Sequence, residues 1–316
     1  MSRAGCSPLE LDGEPMPIES FHNLYHVPGF KYEYADGRTD ISVQRSAQAT
    51  VAAPTDRVLE RTDPSLPDGV EMESAPGTPV EELESLWVNA FARRPDYYGW
   101  SIGDIRDDAR EALGRLFGEK KALHPVSLVA HWRGDVAAAL LVNENKTRPL
   151  VELLCVRQDL RRRGVAGALV HRVAHRLMSE GTDEEDRETL CSGHLLANQE
   201  SAAWHEATGF VELPDWLVLT HRYRCLQHNL RRGLKRDVFG ARRRADSLQA
   251  TLNKMKEERR SDPLAYSPSR WLMPEEEGDD QTDEEASSLG SHSSPGSRID
   301  EYLDSHFDWI DGLDPV

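Results

Sequence analysis

One stretch, Leu150 to Val170, limits what this chain can fold into more than any other. Leu150-Val-Glu-Leu-Leu-Cys-Val156 reads as an apolar strand, and Val165, Leu169, Val173 and Leu177 recur at helical spacing just beyond it. Between them lies a short turn, Arg161-Arg-Arg-Gly164, followed by the small residues Ala166 and Gly167. A strand, a small-residue turn and a helix N-terminus together make an anion site. Free main-chain N–H groups converge there, and the helix dipole adds positive potential. Small residues let a phosphate approach the backbone closely. Two common phosphate loops are excluded by spacing. No Gly-Lys-Ser/Thr follows the turn, and no Gly-x-Gly-x-x-Gly opens it.

The run that is present, Arg161-Arg-Arg-Gly164-Val-Ala166, resembles the acyl-CoA pyrophosphate loop of the GNAT superfamily of N-acetyltransferases, whose pattern is Gln/Arg-x-x-Gly-x-Gly/Ala. A second segment, Asn198-Gln-Glu-Ser-Ala-Ala-Trp-His-Glu-Ala-Thr-Gly209-Phe210, is similar to that family's Asn-x-x-Ala-x-x-x-Tyr-x-x-x-Gly-Phe. The order and separation of the two also fit the family. The resemblance covers Gly69 to Arg224, about half the chain. It implies an α/β fold, with a mixed, mostly antiparallel central sheet flanked by helices. It supports a reaction class and not a substrate.

Charge is spread unevenly. Residues 275–316 hold fourteen acidic side chains and one basic one, so they carry −13 of the formal −17. The acidic balance therefore describes a tail and not a site. Cys6, Cys155, Cys191 and Cys225 show neither metal nor disulfide spacing, and no metal is expected. There is no N-terminal apolar leader, and runs such as Val136–Val142 fall far short of the ~20 residues of a membrane span. The expectation is a cytoplasmic protein without a membrane segment.

Four regions are expected along the chain. Residues 1–68 form an N-terminal extension with a β-hairpin, Phe30 to Val43, around an Asp36-Gly37 turn. The hairpin either adds strands to the main sheet or covers one edge. Residues 69–225 form the acyltransferase-like domain. There, a short strand at Val70–Met72 precedes a helix begun by a Thr78-Pro-Val-Glu81 capping box and burying Leu83, Leu86, Trp87, Ala90 and Phe91. A helix over Ser101–Lys120 and two strands around Arg133-Gly134-Asp135 come next, then the strand and helix of the phosphate turn. A strand at Thr189–Leu196, the second motif and a last strand at Leu217–Arg224 complete it. Residues 226–262 are basic and helix-forming. Residues 263–316 make a disordered acidic tail, in which Ile299, Leu303, Phe307 and Ile310 have the spacing of either a partner-binding helix or a frayed one.

The resemblance assigns roles residue by residue. Arg161, Arg162, Arg163, Gly164, Val165, Ala166 and Gly167 would hold the pyrophosphate or steer it; alone, the three arginines also read as a nucleic-acid patch. Leu154, Cys155 and Val156 would offer main-chain groups to the pantetheine arm where the strand bulges and splays from its neighbour. Cys155 reads either as core or as an acyl-accepting thiol, and direct attack is favoured. Glu152, a carboxylate in an apolar strand, is the candidate general base with a raised pKa, or else a solvent-facing or paired Glu. His205 stands where the family commonly has a Tyr general acid, so it is either that acid or a cofactor contact. Asn198 is a CoA-contacting amide or a cap for the following helix.

These readings imply acetyl-CoA as co-substrate and a small-molecule or protein amine as acceptor. Transfer would be by direct attack in a ternary complex. The alternatives are a non-catalytic CoA-binding or scaffold protein on the same fold, or a nucleic-acid-associated protein using Arg231–Arg260. Nucleic acid is disfavoured because a single aromatic residue, Phe239, lies in that basic segment and no aromatic interleaving accompanies its charges.

Overall fold

The computed structural model describes residues 8–118, 122–144, 148–180, 189–262 and 265–266. The expected hairpin forms. β1 (Phe30–Ala35) pairs antiparallel with β2 (Arg38–Val43) from Ala35↔Arg38 out to Phe30↔Val43. Its turn residues, Asp36 and Gly37, take φ of 50° and 76°, the left-handed pair that a two-residue connection between twisted strands requires. This hairpin is a separate two-stranded sheet and adds no strand to the main one. Phe30 and Ile41 pack with Ala197, Leu24 and Val27, and a short helix, α1 (Ile18–His22), precedes them.

The main sheet has seven strands. It begins with a segment to which the sequence assigned no element: β3 (Gln48–Pro54), whose five central residues are all buried. α2 (Thr55–Arg61) follows, then β4 (Val70–Ser74), α3 (Val80–Phe91), α4 (Ile102–Phe117), β5 (Leu128–Trp132), β6 (Asp135–Asn143) and β7 (Leu150–Val156). α5 (Val165–Glu180), β8 (Thr189–Leu195), α6 (Gln199–Ala207), β9 (Val211–Glu212), α7 (Trp216–Arg231) and α8 (Val238–Ser261) complete the order. Across the sheet the strands run β4-β5-β6-β7-β8-β3-β9, antiparallel throughout except for the parallel pair β7/β8.

Two helical layers sandwich it. Alternate residues of β7 explain why. Leu153 and Cys155 point toward Leu86, Trp87, Ile105 and Leu113 of α3 and α4. Val151, Leu154 and Val156 point the other way, toward Val165, Leu169 and Val173 of α5. Fully burying one such aliphatic side chain contributes about 1.5–3 kcal/mol.

Three expectations are corrected. The segment Leu217–Arg224 is not a strand but part of α7. Asp215 caps it by accepting from the Val218 N–H at 2.8 Å, and the sheet edge beside β8 is already filled by β3. The sheet therefore crosses the boundary expected at residues 68 and 69. Thr78 does not build a capping box, because α3 starts from Pro79 with no side-chain cap; the capping box forms instead at Ser101 and Asp104 of α4. The acidic tail and the 299–310 segment lie outside the described residues. Among the described residues, no helix is long and apolar enough to cross a membrane.

Candidate functional site

Parallel pairing between β7 and β8 is confined to Leu150↔Cys191. Beyond that point the two strands part, so one edge of β7 carries main-chain groups with no strand beside them. On its other edge, β7 is bulged against β6. Leu141 faces Leu153 and Val142 faces Val151, which leaves Glu152 as the extra residue. The gap opens into a cleft of about 720 Å³. Of the residues singled out in the sequence, Glu152, Leu154, Cys155, Val156, Arg161, Arg162, Gly164, Val165, Ala166, Gly167, Asn198 and His205 all line it. Arg163 does not.

The turn after β7 ends at α5. The N–H groups of Gly164, Val165, Ala166 and Gly167 donate to no acceptor among the described residues, and the first to be taken up is that of Ala168, by the Gly164 carbonyl at 2.9 Å. Gly164 has φ of 84°, a conformation that favours glycine. A Cβ placed on Gly167 would meet nothing within 4 Å. This end of the cleft is thus an open helix N-terminus.

The three arginines separate. Arg161 folds inward, donating through Nε to the Val156 carbonyl at 3.2 Å and through a terminal nitrogen to the Ala90 carbonyl. It ties the turn to the strand end and to α3. Arg162 is exposed and lies 3.8 Å from Glu200. Glu200, in the first turn of α6, also accepts from Arg94 at 2.5 Å; the two arginines hold its carboxyl below the usual range. Arg163 is exposed and turned away from the cleft.

Glu152 sits at the bulge, is exposed, and accepts a hydrogen bond from Asn143 at 2.9 Å. The bulge takes the side chain out of the alternating pattern, so of the two readings in the sequence the solvent-facing, paired Glu is the one the geometry matches. Cys155 is buried, and desolvation pushes its thiol up to about 12. It is a core residue without a usable thiolate. Asn198 caps α6, accepting from the Ser201 N–H at 3.1 Å, and donates to Asp96 at 2.8 Å.

His205 is 4 % exposed. Burial, with the nearby His194 adding to it, lowers its pKa to about 4, so the ring is neutral at pH 7. The expected acid role needs a charged imidazole, and this environment removes it. His205 lies 2.8 Å from the Ser201 carbonyl through Nδ1 and 2.9 Å from the Ser192 hydroxyl through Nε2. His194 packs against it at 5.2 Å between ring centroids, and neither of its ring nitrogens has a partner among the described residues.

Sequence reasoning passed over Ser192, His194, Arg94, Asp96 and Glu200, all on the cleft wall. A signal for the first two existed. The strand period of two puts residues 190, 192 and 194 on one face of β8, and two of these are polar in an otherwise buried strand. For Arg94 and Asp96, both in the connection after α3, no local pattern pointed inward.

The far end of the cleft, near the α3–α4 connection, is lined by Trp87, Phe91, Asp96 and Tyr97. Arg45 also reaches it and lies over the Trp100 ring at 4.2 Å. Among the described residues, no cluster of His, Cys, Asp and Glu is arranged to hold a metal ion.

No protein-family model and no curated protein matches the chain. It is similar to three solved structures among others. One is a functionally unknown conserved protein from Staphylococcus epidermidis, at 10% identity and a TM-score of 0.40, covering 52% of this chain and 57% of that one. Another is a GCN5-related N-acetyltransferase from Sphaerobacter thermophilus, at 20% identity and a TM-score of 0.37, covering 52% and 48%. The third is a tandem GNAT protein from the clavulanic acid biosynthesis pathway, at 16% identity and a TM-score of 0.36, covering 52% and 50%. The chain spans about half the length of each, and with TM-scores below 0.5 these likenesses carry no functional inference.

Proposed function

We propose that this chain is an N-acyltransferase that moves an acyl group, acetyl by default, from an acyl-CoA to an amine by direct attack. One observation carries the reading: the cleft where β7 and β8 part has the unpaired edge of β7 along one wall and, at its end, the N–H groups of Gly164 to Gly167 at the start of α5, which have no acceptor among the described residues. A diphosphate suits those N–H groups and the helix dipole behind them. An extended amide-bearing arm suits the strand edge, which offers hydrogen bonds as a neighbouring strand would. The thioester supplies an activated acyl carbon, and the chain's task is to hold it in line with the amine. Positioning of this kind can lower the barrier by roughly 7–11 kcal/mol. The acceptor, a small molecule or a protein amine, would enter from the Trp87–Tyr97 end.

Acetyl-CoA is expected to raise the melting temperature of the full chain. Gly167→Glu is the variant that tests where it binds. The new side chain has open space and a helix N-terminus that favours a carboxylate, so the fold is kept. Its charge would lie where phosphate is proposed to bind, and the rise should vanish. A wild-type protein with no rise at millimolar acetyl-CoA ends the reading.

A non-catalytic acyl-CoA binder on the same fold is the second reading. It is favoured by one finding: Glu152 is exposed and hydrogen-bonded to Asn143, and His205 carries no standing charge with which to act as the expected acid. Thiol release from acetyl-CoA with an amine panel separates the two.

A further inference from the structure

His205 makes two close hydrogen bonds, besides a long contact of Nδ1 with the Ser201 hydroxyl at 3.5 Å, and the polarity of the first close bond fixes that of the second. Its Nδ1 lies 2.8 Å from the Ser201 carbonyl oxygen. A carbonyl can only accept, so Nδ1 carries the proton. In a neutral imidazole Nε2 is then bare and accepts. Its partner, 2.9 Å away, is the Ser192 hydroxyl, which must therefore donate. The single hydrogen of Ser192 is spent inside the protein. What Ser192 can offer to the cleft it lines is lone pairs alone.

We propose that Ser192 is the group that takes the N–H of the acceptor amine, with His205 as the positioning residue that keeps Ser192 an acceptor and receives its proton. The proposal rests on the acyltransferase reading above. In the step, the amine lone pair forms the N–C bond to the acyl carbon, and the C–S bond breaks with its electron pair going to sulfur. The amine proton moves to Ser192 Oγ as the Ser192 proton moves to His205 Nε2. The same path in reverse delivers a proton to the departing thiolate, so that amine and thioester become amide and thiol. Two further features support this. Burial beside His194 keeps His205 neutral, and hence able to accept, at ordinary pH. The proton is also not stored, because an imidazolium at this site is a stronger acid than the thiol formed. The arrangement selects for donors as well: an amine meets a lone pair, whereas a carboxylate in the same place is repelled.

The first test needs no turnover. Nitrogen-15 NMR of the full chain labelled at histidine should show His205 protonated on Nδ1, with an Nε2 signal that moves in Ser192→Ala. A proton on Nε2 overturns the proposal whatever the chemistry of the cleft. The second test uses acetyl-CoA and primary amines graded in basicity from benzylamine down to trifluoroethylamine. Ser192→Ala should lose roughly 10²-fold in kcat, most for the least basic amine, while the thermal shift with acetyl-CoA is kept. Ser192→Thr, which retains the hydroxyl, should recover most of the rate. Full kcat in Ser192→Ala overturns the proposal. A wild-type protein that shifts with acetyl-CoA but acylates none of the panel counts against Ser192 and against catalysis together. Absence of the shift counts against the acyl-CoA reading alone and leaves the NMR result to decide the polarity.

Discussion

Arg161, Arg162 and Arg163 are interchangeable in the sequence and do three different things in the fold. Arg161 is structural: its guanidinium satisfies the Val156 and Ala90 carbonyls, and removing it leaves both without that donor. Arg161→Ala should cost about 1–3 kcal/mol of stability and loosen the turn, weakening acetyl-CoA binding indirectly. Arg162 faces the cleft and Arg163 does not, so Arg162→Ala should weaken binding in a salt-dependent way while Arg163→Ala changes it by less than about twofold. Calorimetric titration of the three variants at low and high salt checks the order. An Arg163→Ala variant weaker than Arg162→Ala would mean that the turn faces the other way. The same residues show what the sequence could reveal. The helix N-terminus was legible because glycine and small residues at one junction have few other uses. Which arginine turned inward was not, because that depends on a carbonyl 71 positions away on α3. Glu152 and His205 were found by position, but their environments were left open, for the same reason: a bulge exposes the first, and the neighbouring strand buries the second.

At the scale of elements, local patterns were readable where periodicity or turn chemistry was strong, even where the expected cap failed, as at α3. The α3 face, the β1–β2 turn and the β7-to-α5 junction all formed as expected. β3 was invisible because Ala-Thr-Val-Ala-Ala has little intrinsic strand preference; only burial between β8 and β9 makes it a strand. Conversely Leu-Val-Leu in α7 has strand character, yet its place in the sheet was filled and Asp215 stood ready as a cap. Tertiary competition decided both. The hairpin unit docks with little tolerance. Gly29 has φ of 92°, and a Cβ there would lie 2.1 Å from the Ala197 main-chain nitrogen. Gly29→Ala must therefore part the hairpin unit from the end of β8, just before the α6 cap. The expected loss is about 2 kcal/mol or more, read by denaturant unfolding. An unchanged midpoint would show that this docking contributes little to the fold.

Over the whole molecule, buried histidines make stability a function of pH. His194 and His205 have pKa values lowered to about 4 by burial, and so has His26, stacked between Tyr32 and His228 where the N-terminal unit meets α7. His221, also lowered, accepts the Gly29 N–H at 2.8 Å through Nε2, a bond that protonation of that nitrogen abolishes. In the unfolded chain these rings titrate near ~6.5. Between that value and about 4 the unfolded state binds more protons than the folded one, so their contribution is complete above the upper limit and drains away as pH falls. For His194 and His205, which are 6 % and 4 % exposed, the loss amounts to roughly 2 kcal/mol each by about pH 5. Asp96, Glu212 and Asp215 oppose it, since burial raises their pKa values and the fold takes up their protons first. The histidine share is isolated by comparing wild type with His194→Phe, which cannot titrate. Unfolding free energies measured from pH 7.5 down to 4.5 should fall less steeply in the variant, and hydrogen exchange at Gly29 should open early in wild type as its His221 bond is lost. Parallel pH curves for the two proteins would mean that the His194 site admits water enough to keep its ordinary titration, and with it that the wall beside His205 is wetter than its burial implies.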